Sequence, residues 1–225
     1  MIVKVKNLSK RFLEKEVLKS ISFEINRGEV VGIVGPNGSG KTTLFNVLTR
    51  IIKANEGELL FSENVKYDCA ITRSEFFGDM SVKNNIKLRC YLSRIDNSSI
   101  EGAGNIFDIN YFDKLFNSLS AGMKQKVSLT IPFLAHNDLI LLDEPTNHLD
   151  IDSIIILRNK ILKLREEGVS FLIASHGFSE LEKVCDRVIF IKNGKILCNE
   201  RSSDLLLKFN DFENAYQSII SNYKA

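Results

Sequence analysis

Residues 35–43 read GPNGSGKTT, which fits the pattern G-x-x-x-x-G-K-[ST] with Gly35, Gly40, Lys41 and Thr42 in the required places. The chemistry of phosphate binding dictates those residue types. Backbone N–H groups converge on an anion only where no side chain obstructs them, hence glycine at 35, 38 and 40. The helical pattern that follows adds its N-terminal donors and the positive end of its dipole. Gly35, Pro36, Asn37, Gly38, Ser39, Gly40, Lys41, Thr42 and Thr43 are therefore candidate contacts to the phosphates of a nucleotide. Within that set Lys41 is suited to neutralise the β and γ phosphates, Thr42 to place its hydroxyl on Mg²⁺, and Thr43 to donate to the α phosphate. A four-place match arises by chance in about one chain per hundred of this length. The apolar strand pattern GEVVGIV directly in front argues against a bare glycine turn.

A second constellation is LILLDEPTNHLD at 139–150, an apolar run ending in Asp143 and Glu144. A strand of this kind beside a phosphate loop places its first acid, Asp143, where it can hold Mg²⁺ directly or through water. The second acid then faces the γ phosphate, so Glu144 is the candidate general base for an attacking water. Asp150 ends a tight turn near the same site. His176, in FLIASHG, lies just beyond another apolar strand, on the sheet edge where ligands sit in open α/β folds, and is placed to hydrogen-bond the γ phosphate. A third stretch, LSAGMKQKV at 119–127, puts small residues at the mouth of a helix nearly eighty positions after the first loop.

The elements that must position these residues are legible from periodicity. IVKVKNLS and ISFEI read as short β runs, and GEVVGIV as a strand buried on both faces. KTTLFNVLTRIIK places Leu44, Phe45, Val47, Leu48, Ile51 and Ile52 on one helical face. Residues 64–118 have weak periodicity and many Asn and Ser residues, which reads as a smaller, mostly helical insert. Thereafter strands and helices alternate: a helix from about 121, LILLD, a helix over 152–167, VSFLIAS, a helix through SELEKVC, RVIFIK, and a hairpin turn at Asn193-Gly194 leading into KILCN. Such alternation implies a parallel sheet with helices on both faces. The tail from Ser202 carries Leu205, Leu206, Phe212, Tyr216 and Ile220, and reads as helix packed back on the core.

Composition sets the bounds. A chain of 225 residues has ample material to bury a core, and 30 basic against 28 acidic residues leave a formal charge of +2, too even for a nucleic-acid partner to be expected. Cys69, Cys90, Cys185 and Cys198 have no metal-ligand spacing and read as reduced thiols. The start, MIVKVKNLSKRF, lacks a secretory apolar core, and no run approaches the length of a membrane span, so a cytoplasmic protein is expected.

Taken in order, GPNGSGKTT, LSAGMKQ, LILLDEPTNHLD and ASH resemble the Walker A, signature, Walker B with D-loop, and switch histidine of the ATP-binding-cassette (ABC) ATPases, and the likeness covers nearly the whole chain. The resemblance implies an α/β P-loop NTPase fold in one ABC ATPase domain. Its core is a parallel sheet with an N-terminal antiparallel β region, over 1–63 and 128–225, and its helical subdomain is inserted at 64–127. It implies ATP and Mg²⁺ as ligands, and a head-to-tail dimer, expected to be a homodimer. There Ser120 and the N–H groups around Gly122 offer a second anion site to the ATP held by the other copy. It further implies that Phe12, in LSKRF, stacks on adenine.

Departures from the family pattern stand beside it. Met123 replaces the signature glutamine that completes a capping box with the serine, and Ala121 replaces a glycine. Pro132 falls inside the helix that follows, where a kink is expected. The Q-loop glutamine would fall at Thr72. GMKQ and SHGFSELEKVCDRVIFIKNGKI resemble bacterial ABC-2 type exporters, including those that expel antimicrobial peptides. The implied protein is a cytoplasmic ATPase subunit on the inner face of the cell membrane, working with separate transmembrane permease subunits. DEPTNHLDID also resembles the ABC-F translation factors, soluble proteins that act on ribosomes, although those join two cassettes in one chain.

Overall fold

The computed structural model describes residues 1–70, 76–93 and 102–223. Two sheets organise it. Strands β1 (Val3–Phe12), β2 (Lys15–Ile25) and β4 (Glu56–Phe61) form an antiparallel sheet in the order β2-β1-β4. Strands β3 (Val30–Val34), β5 (Tyr67–Ala70), β6 (Leu139–Asp143), β7 (Ser170–Ser175), β8 (Arg187–Lys192) and β9 (Lys195–Arg201) form the main sheet in the order β5-β6-β7-β3-β8-β9. It is parallel except for β9, which returns antiparallel to β8.

The continuous apolar runs are explained by burial on both faces. Val31 and Ile33 of β3, Leu139 and Leu141 of β6, Leu172 and Ala174 of β7, and Ile189 and Ile191 of β8 enter one apolar cluster. Their alternate neighbours Val30, Val34, Ile140, Leu142, Phe171, Ile173, Val188 and Phe190 enter the other. The first cluster also contains the antiparallel sheet and helix α1 (Lys41–Leu48), through Leu44, Phe45, Val47 and Leu48. One face of the main sheet is thus covered by a helix and a second sheet. The opposite face packs against helices α2 (Val82–Leu92), α3 (Ala121–Thr130), α4 (Ile151–Glu166) and α5 (Ser179–Val184), then α6 (Ser202–Phe209) and α7 (Phe212–Asn222) of the tail.

Three expectations need correction. The helix after the phosphate loop stops at Leu48, because Arg50 turns the chain at a positive φ of 60°; Ile51 is exposed and only Ile52 packs inward. Tyr67–Ala70, expected inside the helical insert, is instead an edge strand of the main sheet, paired in parallel with Leu139–Leu142 and tied to α2 by Asp68–Arg89 at 3.5 Å. In the tail, Leu205, Phe212 and Tyr216 pack as expected, but Ile219 rather than Ile220 is the last residue against the core. Phe212 and Tyr216 both meet Phe190 edge-on.

Pro132 has the foreseen effect in a specific form. With no N–H to continue the ladder, α3 gives way to a 3₁₀ turn at Ile131–Phe133. Between β5 and α3, Asn85 holds the approach to α2. Its Oδ1 accepts from Phe77 N–H at 2.8 Å, and its Nδ2 donates to the Phe77, Met80 and Ser81 carbonyls. Asn85 is almost fully buried, so Asn85→Ala strands these groups away from water. The expected loss is about 2–4 kcal/mol, read as a lower urea midpoint at unchanged m-value.

Candidate active site

Parallel register brings the chemistry together. Val34 at the end of β3 lies beside Ser175 at the end of β7, and Asp143 at the end of β6 lies beside Ala174. The phosphate loop, Glu144 and His176 therefore leave the sheet side by side. A cleft of about 760 Å³ is lined by every loop residue from Pro36 to Thr43 together with Glu144. Gly35 sits beneath it, with Ile191 O only 2.2 Å from where a Cβ would stand, so no side chain fits there.

The N-terminus of α1 is built to receive an anion. Its N-cap is Gly40, at φ 109°, with no side chain to satisfy the first N–H groups of the helix. The Ser39 hydroxyl is buried with no hydrogen-bond partner among the described residues. Lys41, also buried, donates to the Gly35 carbonyl at 2.7 Å and lies 3.5 Å from Glu144 Oε1. Its ammonium is thus held inside the loop, ready to exchange a carboxylate for a phosphate.

Glu144 is gripped from both ends. Its other oxygen, Oε2, lies 2.7 Å from His176 Nδ1 and accepts from the His176 backbone N–H at 3.3 Å. Two acceptors cannot share so short a contact, so with Glu144 ionised Nδ1 carries the proton; His176 itself is exposed and outside the lining of the cleft. The Glu144 backbone has φ 50°, a left-handed conformation held by Glu144 N–H donating to Ala174 O at 2.8 Å. One strand position earlier, Asp143 Oδ2 accepts from the Thr42 hydroxyl at 3.0 Å. Burial pushes the Asp143 carboxyl above the usual range, and the Glu144 charge adds to this, while the Thr42 hydrogen bond and Lys41 oppose it.

The structure does not bring every candidate to this cleft. Phe12 lies outside its lining, half exposed at the end of β1 with Lys10 Nζ 5.0 Å over its ring. Ser120 and Gly122 begin α3, also outside the lining; Ser120 is exposed and its Oγ accepts from Met123 N–H at 3.2 Å, so half of the capping box survives the loss of glutamine. Asp150, expected near the phosphate site, instead N-caps α4 through Ser153 N–H and pairs with Lys126 at 2.9 Å. Those hydrogen bonds, from Ser153 and then Lys126, hold its carboxyl well below the usual range. Thr72 lies outside the described residues.

Sequence reasoning missed one wall of the cleft. Lys15 and Lys19 of β2 and Asn193 line it. The Asn193-Gly194 hairpin was legible as a turn, but its landing place was not. Gly194 N–H donates to Ser39 O at 3.0 Å and Gly194 O accepts from Lys19 N–H at 2.8 Å, bracing the loop against β2.

Comparison with known proteins agrees with this geometry. The family model described as ABC transporter matches residues 18–147. The chain is 32% identical to an uncharacterized ABC transporter ATP-binding protein of Methanocaldococcus jannaschii, over 99% of this chain and 84% of that one. It is 30% identical to a lantibiotic transport ATP-binding protein of Streptococcus pyogenes, over 87% and 89% of the two chains. Among solved structures, an ATP-binding subunit of an ABC transporter superposes with a TM-score of 0.88 at 20% identity, covering 98% of this chain and all of that one. A dimeric post-hydrolysis ATP-binding cassette with ADP and Pi bound superposes at 0.81 and 22% identity, over 89% and 99%. At such identities the structural likeness shows the fold.

Because the buried Lys41 ammonium lies inside the loop, Lys41→Ala is expected to weaken ATP binding at least a hundredfold in a calorimetric titration while circular dichroism shows the chain still folded. Unchanged affinity would remove the phosphate assignment.

Proposed function

The chain belongs to the ABC transporter family as an ATP-binding, ATP-hydrolysing subunit, and from that premise we propose that two copies close head to tail on ATP to drive export through separate membrane-spanning permease subunits. The observation that carries this reading is the split between two sets of residues. The phosphate loop and Glu144 share one cleft, with His176 bonded to Glu144 from outside the lining, while Ser120 and Gly122 open α3 away from it. A site that needs both sets is completed by a second chain, and two-fold symmetry then makes two such sites.

The residues have separable tasks in this scheme. The loop N–H groups and Lys41 bind the phosphates, and the γ phosphate competes with Glu144 for the Lys41 ammonium. Glu144, once released on that side, keeps its contact with His176 and accepts a proton from the attacking water. His176 Nε2 faces the γ phosphate. Thr42 and Asp143 offer a hard oxygen pair that fits Mg²⁺, which when bound neutralises developing charge on the phosphates. Among the described residues no group of three or more His, Cys, Asp or Glu is placed to hold a metal. Two protein oxygens plus phosphate oxygens are the usual Mg²⁺ set in such sites. Phe12 is exposed and free to stack on adenine at the cleft's outer end.

No helix among the described residues is long and apolar enough to cross a membrane. Docking on the permease puts the proposed location at the inner face of the cell membrane. In this reading the core is 1–63 and 128–225, with Tyr67–Ala70 returning to it, and the helical subdomain takes in the described residues 76–93 and 102–127. An amphiphilic, peptide-like cargo moving outward is favoured by the relative named for lantibiotic transport. Both relatives named above carry the name of an ABC transporter or transport ATP-binding protein, so beyond DEPTNHLDID the ribosomal alternative gains no support, and the near-even charge gives no reason to expect nucleic acid.

Glu144→Gln is expected to trap an ATP-bound dimer at under a tenth of the parent's turnover, seen by light scattering. A monomer that still hydrolyses would contradict the assignment. Mixing Ser120→Arg with Lys41→Ala chains, each inactive alone, should restore about a quarter of parent activity, because half of the dimers hold one intact composite site. No recovery would argue against a shared site.

A further inference from the structure

Gly122, Gln125 and Lys126 stand at i, i+3 and i+4 on α3 and so share one face of the helix. That face rests on the turn at 145–150. The His148 carbonyl lies 2.6 Å from where a Gly122 Cβ would stand, so the two backbones touch. Gln125 Nε2 donates to the Pro145 carbonyl at 3.1 Å, and Lys126 Nζ pairs with Asp150 at 2.9 Å. The same turn begins at Glu144. Both Glu144, at φ 50°, and His148, at φ 64°, adopt the left-handed conformation without being glycine. Such a backbone is costly for a residue with a Cβ and persists only where the surroundings over-determine it.

The surroundings can be named. Glu144 N–H is fixed by Ala174 O, and Glu144 O accepts from Asn147 N–H at 3.2 Å. The next carbonyl along, that of Pro145, is fixed by Gln125, and the far end of the turn by Lys126 on Asp150. We propose that Gln125 and Lys126 are positioning residues for hydrolysis: they brace the 145–150 turn against the signature helix, so that seating this helix on the partner's nucleotide sets the aim of Glu144 on the chain's own. The inference rests on the shared-site reading above and adds the physical link between its two sites. Neither residue reaches the cleft of its own chain, so both act through the turn.

The test uses the purified chain with ATP and Mg²⁺, and compares Lys126→Met, Lys126→Arg and Gln125→Leu. Both deletions of the brace should lower kcat about tenfold with KM within twofold of the parent. Lys126→Arg, which keeps the ion pair, should restore kcat to within twofold. In the Glu144→Gln background, ATP-dependent dimer formation should keep its concentration dependence in all three. Unchanged kcat in both Lys126→Met and Gln125→Leu overturns the brace. So does a fall in kcat accompanied by loss of the dimer, which would make the pair mere structural support for the signature helix. If Gln125→Leu does not fold, the Lys126 substitutions decide alone. A Glu144→Gln chain that never dimerises with the brace intact instead overturns the shared-site reading, and the link falls with it.

Discussion

Three neighbouring parallel strands stop level with one another, and the site follows from that alignment. β6, β7 and β3 are in register along their length, so the residues after each strand end arrive on one line. Lys41, Glu144 and His176 come from three separate parts of the chain, yet form a continuous contact from ammonium to carboxylate to imidazole. A slip of one residue in any strand would move its side chains from one apolar cluster into the other and break this contact. Because each face packs against a different layer, a slipped strand would meet mismatched neighbours on both sides. The register is therefore as firm as the core.

That contact also sets the electrostatic state of the cleft. Lys41 and Glu144 are both largely buried, and each is the other's compensation for lost water. A phosphate entering the loop would bring its own charge to Lys41, so that in the proposed scheme binding and the freeing of one Glu144 oxygen are the same event. His176 holds the second oxygen meanwhile, which keeps the carboxylate from swinging away when Lys41 is taken. The left-handed backbone at Glu144 narrows its options further. The proposed general base is thus restrained by its own backbone, by one ion pair for which a phosphate would compete, and by its hydrogen bonds with His176.

Much of this was legible in the sequence, and the exceptions share a cause. The phosphate loop, Asp143, Glu144 and His176 announce themselves because local residue types and strand ends dictate their positions. The five-residue runs VVGIV and LILLD announce strands because burial on both faces demands unbroken apolarity. Tyr67–Ala70 was hidden: a four-residue edge strand with a half-buried aspartate shows no period, and only pairing to β6 makes it a strand. Ile51 misled because helical periodicity continues past a left-handed residue that no pattern foretells. Asp150 was expected at the end of a tight turn near the phosphates; the turn carries two left-handed residues, and Asp150 meets Lys126. The Asn193-Gly194 turn was visible as local chemistry; its contact with Ser39 is long-range and was not.

The turn at 145–150 also explains why LSAGMKQKV tolerates the loss of its usual glutamine. Ser120 still caps the helix alone, since its hydroxyl reaches Met123 N–H whatever side chain stands at 123. What the helix needs from its later residues is a footing, and Gln125 and Lys126 supply it on the turn that starts at Glu144. If the helix start binds the partner's nucleotide as proposed, its footing on the turn that begins at Glu144 ties its position to that of the proposed base. In a two-fold dimer each chain would then be at once the lid of one site and the floor of the other. Coupling between the sites requires no long relay through the core, only the few ångströms between Gln125 and Pro145.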